Sequence, residues 1–183
     1  CRAWSEVKPH GFSERIEIPV FAISVITERC RSVGAATKIP SKSFNFSEAF
    51  SESKYCVGVA NGLDALVLSL KALDIKEGDE VIVPSNTYIA SWLAITLVGA
   101  KVVPVEPNPE TCNIDYNKIE EKINNNTRAV MAVNLYGQAA ELNKILEICH
   151  KHKIYLVEDN AQAQGSKCEN KITGSFGIIN ATS

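Results

Sequence analysis

The 183-residue sequence has no surplus of positive charge: nineteen lysines and arginines stand against twenty-one aspartates and glutamates. With a pI near 6.0, nothing is available to hold a phosphate backbone by counterion release, which excludes nucleic acid as a main partner. Long apolar runs are also lacking. The most apolar stretch after the N-terminal region, residues 89–100, is interrupted by Ser91 and Thr96. It is far shorter than the roughly 20 residues of a membrane-spanning helix, so it reads as a buried helix and no membrane partner is expected. The six cysteines (Cys1, Cys30, Cys56, Cys112, Cys149, Cys168) form no C-x-x-C pair and are too sparse for a disulfide scaffold. Reduced thiols in a cytoplasmic protein are expected. The G-x-G-x-x-G fingerprint is absent as well, which argues against a nicotinamide-dependent Rossmann enzyme. What remains, 45% hydrophobic and 22% charged residues, suits a globular protein of about one domain.

The N-terminal stretch is short of something else. The first 54 residues contain no aspartate, yet they hold nine serines and four of the five arginines, Arg2, Arg15, Arg29 and Arg31. The remaining 129 residues carry one arginine, Arg128, and are rich in lysine, asparagine and aspartate. A step this sharp sets residues 1–53 apart as an atypical N-terminal segment and leaves residues 54–183 as the domain proper. The apolar run 18–26 imitates a signal core, but Glu14 and Glu17 precede it and no small-residue cleavage site follows. The sequence opens on Cys1 rather than methionine, and a fragment of a longer protein is expected.

From Lys54 onward short apolar strands alternate with helical segments, the pattern of a mostly parallel α/β sheet with helices on both faces. Strands are predicted at residues 55–59, 80–83, 101–105, 128–133, 154–157 and 172–178, and helices at 63–73, 89–98, 115–123 and 141–152. Cys149 joins Leu142, Ile145 and Leu146 at helical spacing, which predicts a core thiol rather than a ligand. His150 and His152 suit the last turn of that helix, where cations complement the dipole, and no metal site is expected.

In an open parallel sheet, ligands sit beyond the carboxyl ends of the strands. Four unusual segments fall there. The run Ala60-Asn61-Gly62-Leu63-Asp64 feeds directly into a helix. It reads either as a phosphate cradle made by the first free N–H groups or as an ordinary Asn-Gly turn. Pro84-Ser85-Asn86-Thr87-Tyr88 puts an aromatic ring past a strand tip, either to stack on a flat cofactor or as a core tyrosine. Asn134-Leu135-Tyr136-Gly137-Gln138 adds another polar loop at the same edge. Finally, residues 154–162 form a buried strand delivering Glu158, Asp159 and Asn160 to the sheet edge. Burying a carboxylate is costly unless a cation or several donors meet it. A protonated pyridine nitrogen is one such cation, since a carboxylate beside it keeps the ring an electron sink. Capping of a helix by Asp159 is the alternative.

Together, Val59–Leu66, Gly78–Tyr88 and Glu158–Gly165, continued by Gly174-Ser175-Phe176-Gly177 and Ala181-Thr182-Ser183, resemble the pyridoxal-phosphate sugar aminotransferases of the DegT/DnrJ/StrS type. The likeness covers about Lys54 to Ser183. It implies an aspartate-aminotransferase-like (fold type I) large domain, here incomplete, with pyridoxal 5′-phosphate as cofactor. By that likeness Asp159 would meet the pyridinium nitrogen, Gln162 the ring hydroxyl and Tyr88 the ring face. The amides of Gly62 and Leu63 and the hydroxyl of Ser183 would hold the phosphate. Family members often carry Ser or Thr where this chain has Leu63, so only a backbone contact is expected there. The branch it looks most like aminates the 3-keto position of dTDP-linked 6-deoxyhexoses, with an amino acid, usually glutamate, as donor, and its members usually dimerise.

In that family the Schiff-base lysine follows the serine motif by a few residues, beyond Ser183, and a smaller C-terminal domain comes after it. A transaminase needs that lysine to hold the cofactor and to move a proton. The 183-residue chain alone is therefore expected to be inactive. Histidine in place of the lysine would point to the related pyridoxamine-dependent sugar dehydratases, and a retained cofactor pocket without chemistry would make a binding or regulatory protein.

Overall fold

An eight-stranded sheet runs through the centre of the structure, a computed structural model that describes residues 20–24, 36–37 and 55–183. Its strands are β1 (Val20–Ser24), β2 (Ala36–Thr37), β3 (Tyr55–Val59), β4 (Glu80–Pro84), β5 (Lys101–Val105), β6 (Thr127–Val133), β7 (Tyr155–Asp159) and β10 (Ile179–Thr182). They lie in the order β2-β3-β1-β10-β7-β6-β4-β5. Every pairing is parallel except β2 on β3. A separate two-stranded hairpin joins β8 (Lys167–Cys168) to β9 (Lys171–Ile172). The expected segment 1–53 otherwise falls outside the described residues, and its two described pieces, β1 and β2, belong to this sheet.

Side chains alternate across each strand, so the sheet has two cores. On one face Val81 and Val83, Ala129, Met131 and Val133, Val157, and Ile179 and Ala181 pack with helices α1 (Gly62–Ala72) and α2 (Ile89–Leu97). On the other face Ile82, Val130, Ala132 and Leu156 pack with α3 (Leu142–His152). Strand β4 is buried along its whole length and therefore apolar throughout, apart from its first residue. Strand β5 is one edge, and it carries what an edge tolerates: an exposed Lys101 and Pro104, whose missing N–H costs no ladder bond.

Each helix is set by its own sequence. Asn61 caps α1, accepting the Asp64 N–H at 2.9 Å, while its side-chain amide donates to the Asp64 carboxylate at 3.0 Å. Leu66 and Leu70 then repeat at helical spacing and are buried. In α3, Leu142, Ile145 and Cys149 face the core, and the helix ends on Lys153 in a left-handed conformation, φ 56°. The Cys149 thiol is buried as expected, and burial pushes it up to about 12. Among the described residues no helix is long and apolar enough to cross a membrane.

Two expected elements are corrected. The predicted helix 115–123 is a pair of 3-10 turns, Tyr116–Lys118 and Glu120–Lys122. Asp115 accepts the Asn117 N–H at 3.1 Å, a local bond that closes a tight turn instead of starting an α-helix. The predicted strand 172–178 is mostly a loop, and β10 lies further on, at Ile179–Thr182. Gly174 has φ 84°, and a Cβ on Gly177 would lie 2.8 Å from the Leu156 carbonyl oxygen, so this glycine pair serves a sharp, close-packed turn.

Candidate functional site

Register brings the site together. Asp159 pairs with Val133 on β6 and with Ala181 on β10, so one row of residues crosses the carboxyl ends of three neighbouring strands. That row floors a cavity of about 350 Å³. All six residues expected to hold a cofactor line it: Gly62, Leu63, Tyr88, Asp159, Gln162 and Ser183. No lysine is among its lining residues.

They arrive from four separated stretches of chain. Gly62 and Leu63 open α1, where Asn61 has already taken the N–H groups of Asp64 and Ala65. The N–H groups of Gly62 and Leu63 are left without partners among the described residues, at the positive end of the helix dipole. Ser183 closes on them from the end of β10. A Cβ added to Gly62 would stand 3.1 Å from both Cβ and Oγ of Ser183. Two free amides and a hydroxyl thus share one small concave spot, fit for an anion.

Tyr88 stands just before α2 and is 70% exposed, which removes the core-tyrosine reading and leaves its ring at the cavity mouth. Gln162 is turned by its neighbour: its Oε1 accepts the Tyr136 N–H at 3.0 Å, which leaves its Nε2 as a donor. Tyr136 itself sits in a left-handed conformation, φ 59°, in the 3-10 turn Leu135–Gly137.

Asp159 is 6% exposed and caps no helix; its Oδ1 accepts the Ala161 N–H at 3.3 Å in the turn after β7. Its Oδ2 accepts the Ser91 hydroxyl at 2.8 Å. Burial pushes the Asp159 carboxyl up from the ordinary carboxylate range, and the Ser91 hydroxyl and Ala161 amide oppose that rise. Such a carboxylate calls for a cationic partner.

Glu158 does not reach this site. Strand β7 continues through Asp159, so the two adjacent carboxylates point to opposite faces. Glu158 is fully buried on the α3 side, and it accepts the N–H groups of Gly174 (2.7 Å), Phe176 (2.6 Å) and Gly177 (2.7 Å). Sequence reasoning also missed Ser91 and Thr87. The signal was present: Ser91 is the polar interruption of the apolar run 89–100, and a polar residue on the buried side of a helix needs a partner.

The family model described as the DegT/DnrJ/EryC1/StrS aminotransferase family matches residues 40–183, beginning ahead of Lys54. The dTDP-3-amino-3,6-dideoxy-alpha-D-galactopyranose transaminase of Aneurinibacillus thermoaerophilus is 56% identical over 125 residues, 68% of this chain and 34% of that protein. The dTDP-3-amino-3,4,6-trideoxy-alpha-D-glucose transaminase of Streptomyces venezuelae is 44% identical over 135 residues, 74% of this chain and 36% of that protein. The crystal structure of S. venezuelae DesV in complex with a ketimine intermediate aligns with a TM-score of 0.77 at 40% identity, over 82% of this chain and 41% of that one. The chain spans about a third of the length of the curated relatives it matches. Its α/β architecture is that of the fold type I sugar aminotransferases.

Proposed function

Because the chain belongs to the DegT/DnrJ/EryC1/StrS aminotransferase family, we propose that the whole protein is a pyridoxal-phosphate-dependent aminotransferase acting on a keto nucleotide sugar in deoxyamino-sugar biosynthesis, with an amino acid, glutamate, as donor. The observation that carries this reading is the convergence of six residues, from four separated stretches of chain, on one cavity built around a buried carboxylate. Two relatives with transaminase names for dTDP-3-amino sugars support the substrate class.

In this reading residues 54–183 are the cofactor-binding part, and residues 1–53 are an atypical N-terminal segment whose described pieces, β1 and β2, extend the same sheet. The donor set suits pyridoxal phosphate at both ends. The Gly62 and Leu63 amides with the Ser183 hydroxyl take the phosphate, whose charge the α1 dipole favours. Asp159 would meet the ring nitrogen and hold a proton there. Gln162 would donate to the ring hydroxyl from Nε2, and Tyr88 would cover the ring face and exclude water. The cofactor, when bound, supplies an electron sink next to the substrate carbon that loses its proton. Proton transfer at that carbon needs a base, and since no lysine lines the cavity among the described residues, the 183-residue chain by itself binds without turnover.

A homodimer is part of the proposal. Tyr88, Ile89, Leu93 and Leu97 are exposed along one side of α2, at and beside the cavity mouth, and an apolar stripe of this kind suits a subunit contact. The cytoplasm is the proposed setting. The test is to incubate the whole protein with pyridoxal phosphate, glutamate and a dTDP-linked 3-keto-6-deoxyhexose. Equimolar 2-oxoglutarate and amino sugar are expected. Loss of water without amino transfer would identify a dehydratase instead, and cofactor binding with no product a regulatory protein.

A further inference from the structure

We propose that Ser91 is a positioning residue for the site, the end of a two-hydroxyl relay from Thr87 that holds the Asp159 carboxylate in place and ionised. The inference deepens the reading above and rests on it.

Three hydroxyl side chains stand inside the described α-helices, and two of them spend their proton locally. Ser69 donates to the Ala65 carbonyl at 2.8 Å, and Thr96 to the Trp92 carbonyl at 2.7 Å, each four residues back in its own helix. Ser91 stands in the first turn of α2, where the residue four back, Thr87, lies ahead of the helix, and its hydroxyl turns to a distant partner instead. Its Oγ donates at 2.8 Å to Asp159 Oδ2, 68 residues away on β7. Ser91 is 1% exposed, so no water competes for that proton.

Proton counting fixes the direction of the rest. A serine hydroxyl has one hydrogen. With that hydrogen committed to an ionised Asp159, the 3.0 Å contact between Ser91 Oγ and Thr87 Oγ1 has Thr87 as donor. The relay therefore runs Thr87 to Ser91 to Asp159, each bond polarising the next. Thr87 itself lines the cavity, so the relay starts and ends on the wall where the cofactor is proposed to sit. The other donor to the carboxylate, the Ala161 N–H, is longer at 3.3 Å. Ser91 is thus the principal group favouring the anion in a buried position. Other charged groups do not enter: the cavity lining contains no second acid and no basic side chain among the described residues.

The experiment compares the whole protein with its Ser91→Ala, Ser91→Thr and Asp159→Asn variants. Each is titrated with pyridoxamine phosphate across pH, with binding read from cofactor fluorescence and absorbance rather than from turnover. Loss of one hydrogen bond to a charged group weakens binding roughly tenfold or more in Ser91→Ala. The acid limb of its binding-pH profile moves to higher pH, because the carboxyl needs less acid to take a proton. Ser91→Thr, which keeps the hydroxyl, restores both. Should Ser91→Ala not fold, Ser91→Cys, a weaker donor, is expected to shift the same limb in the same direction. Binding by Ser91→Ala within twofold of the parent with an unmoved acid limb, while Asp159→Asn loses binding, overturns the relay and leaves the site reading standing. Undiminished binding by Asp159→Asn overturns both.

Discussion

Glu158 and Asp159 are neighbours on one strand, equally acidic and both buried, yet they are treated in opposite ways. Glu158 faces the α3 side, where three backbone N–H groups of the 174–177 loop converge on it. Asp159 faces a cavity and receives one hydroxyl and one distant amide. Burial raises both carboxyls above their ordinary range, and in each case hydrogen-bond donors oppose it. The difference lies in what is left over. Glu158 has its acceptor capacity met by the protein and fixes a loop, whereas Asp159 is left short of donors in front of an open space. A carboxylate the fold satisfies belongs to the architecture, and one it leaves wanting belongs to a ligand.

The sharpest way to break this contrast is on the satisfied side. Glu158→Ala would strand three buried N–H donors, each worth about 1–3 kcal/mol when unmet. We expect a loss of about 3–5 kcal/mol in chemical denaturation, or no soluble protein. A loss below about 1 kcal/mol would remove Glu158 from its structural role. On the other side Asp159→Asn is expected to cost more than about 100-fold in cofactor affinity, which is about 2.7 kcal/mol. Its effect on the cofactor-free fold should stay within about 1 kcal/mol. A large destabilisation without loss of binding would reverse the two assignments.

Smaller effects sharpen the picture. Gly62→Ala puts a methyl 3.1 Å from Ser183 and into the anion spot, so phosphate-bearing ligands should bind several-fold more weakly while pyridoxamine without its phosphate is unaffected. The pH dependence of the cofactor-free protein carries a sign. A carboxyl whose folded value is raised stabilises the fold fully below its unfolded value near 4, and that contribution is lost as pH rises through the folded value. Glu158 and Asp159 both act this way, so Asp159→Asn should flatten the decline in stability on the alkaline side of pH 4. Glu80, held low by Lys101 and Asn124, contributes in the opposite sense and loses its contribution as pH falls. The least demanding test is labelling: a thiol reagent should modify the exposed Cys112 in the native protein and spare Cys149, whose thiol burial pushes to about 12.

Much of the fold was legible in the sequence because the strands from Tyr55 to Asp159 are short apolar runs between helices of clear 3.6-residue period. That Gly62, Leu63, Tyr88, Asp159, Gln162 and Ser183 would gather at one cavity was legible for a different reason: the family resemblance of their motifs, together with the rule that ligands gather at carboxyl ends of parallel strands. What escaped notice was set by contacts distant in sequence. The glycines of Gly174-Ser175-Phe176-Gly177 were a local turn signal that the apolar run outweighed; what fixes the loop is Glu158, sixteen residues before Gly174, which accepts its amides. Asp115 and Asn117 turned a helix-like stretch into 3-10 turns through a two-residue bond that periodicity does not see. The Ser91–Asp159 contact joins positions 68 residues apart, and only the packing of α2 on the face of the sheet to which Asp159 points brings them into reach.

The most direct measurement is a titration of pyridoxamine phosphate into the whole protein and its Asp159→Asn variant, followed by the protonation-sensitive absorbance of the bound ring. Saturable binding with a protonated ring nitrogen is expected for the parent, and weak binding with that signature absent for the variant. Equal affinity and an identical spectrum in the two proteins would contradict the assignment of this carboxylate to the cofactor.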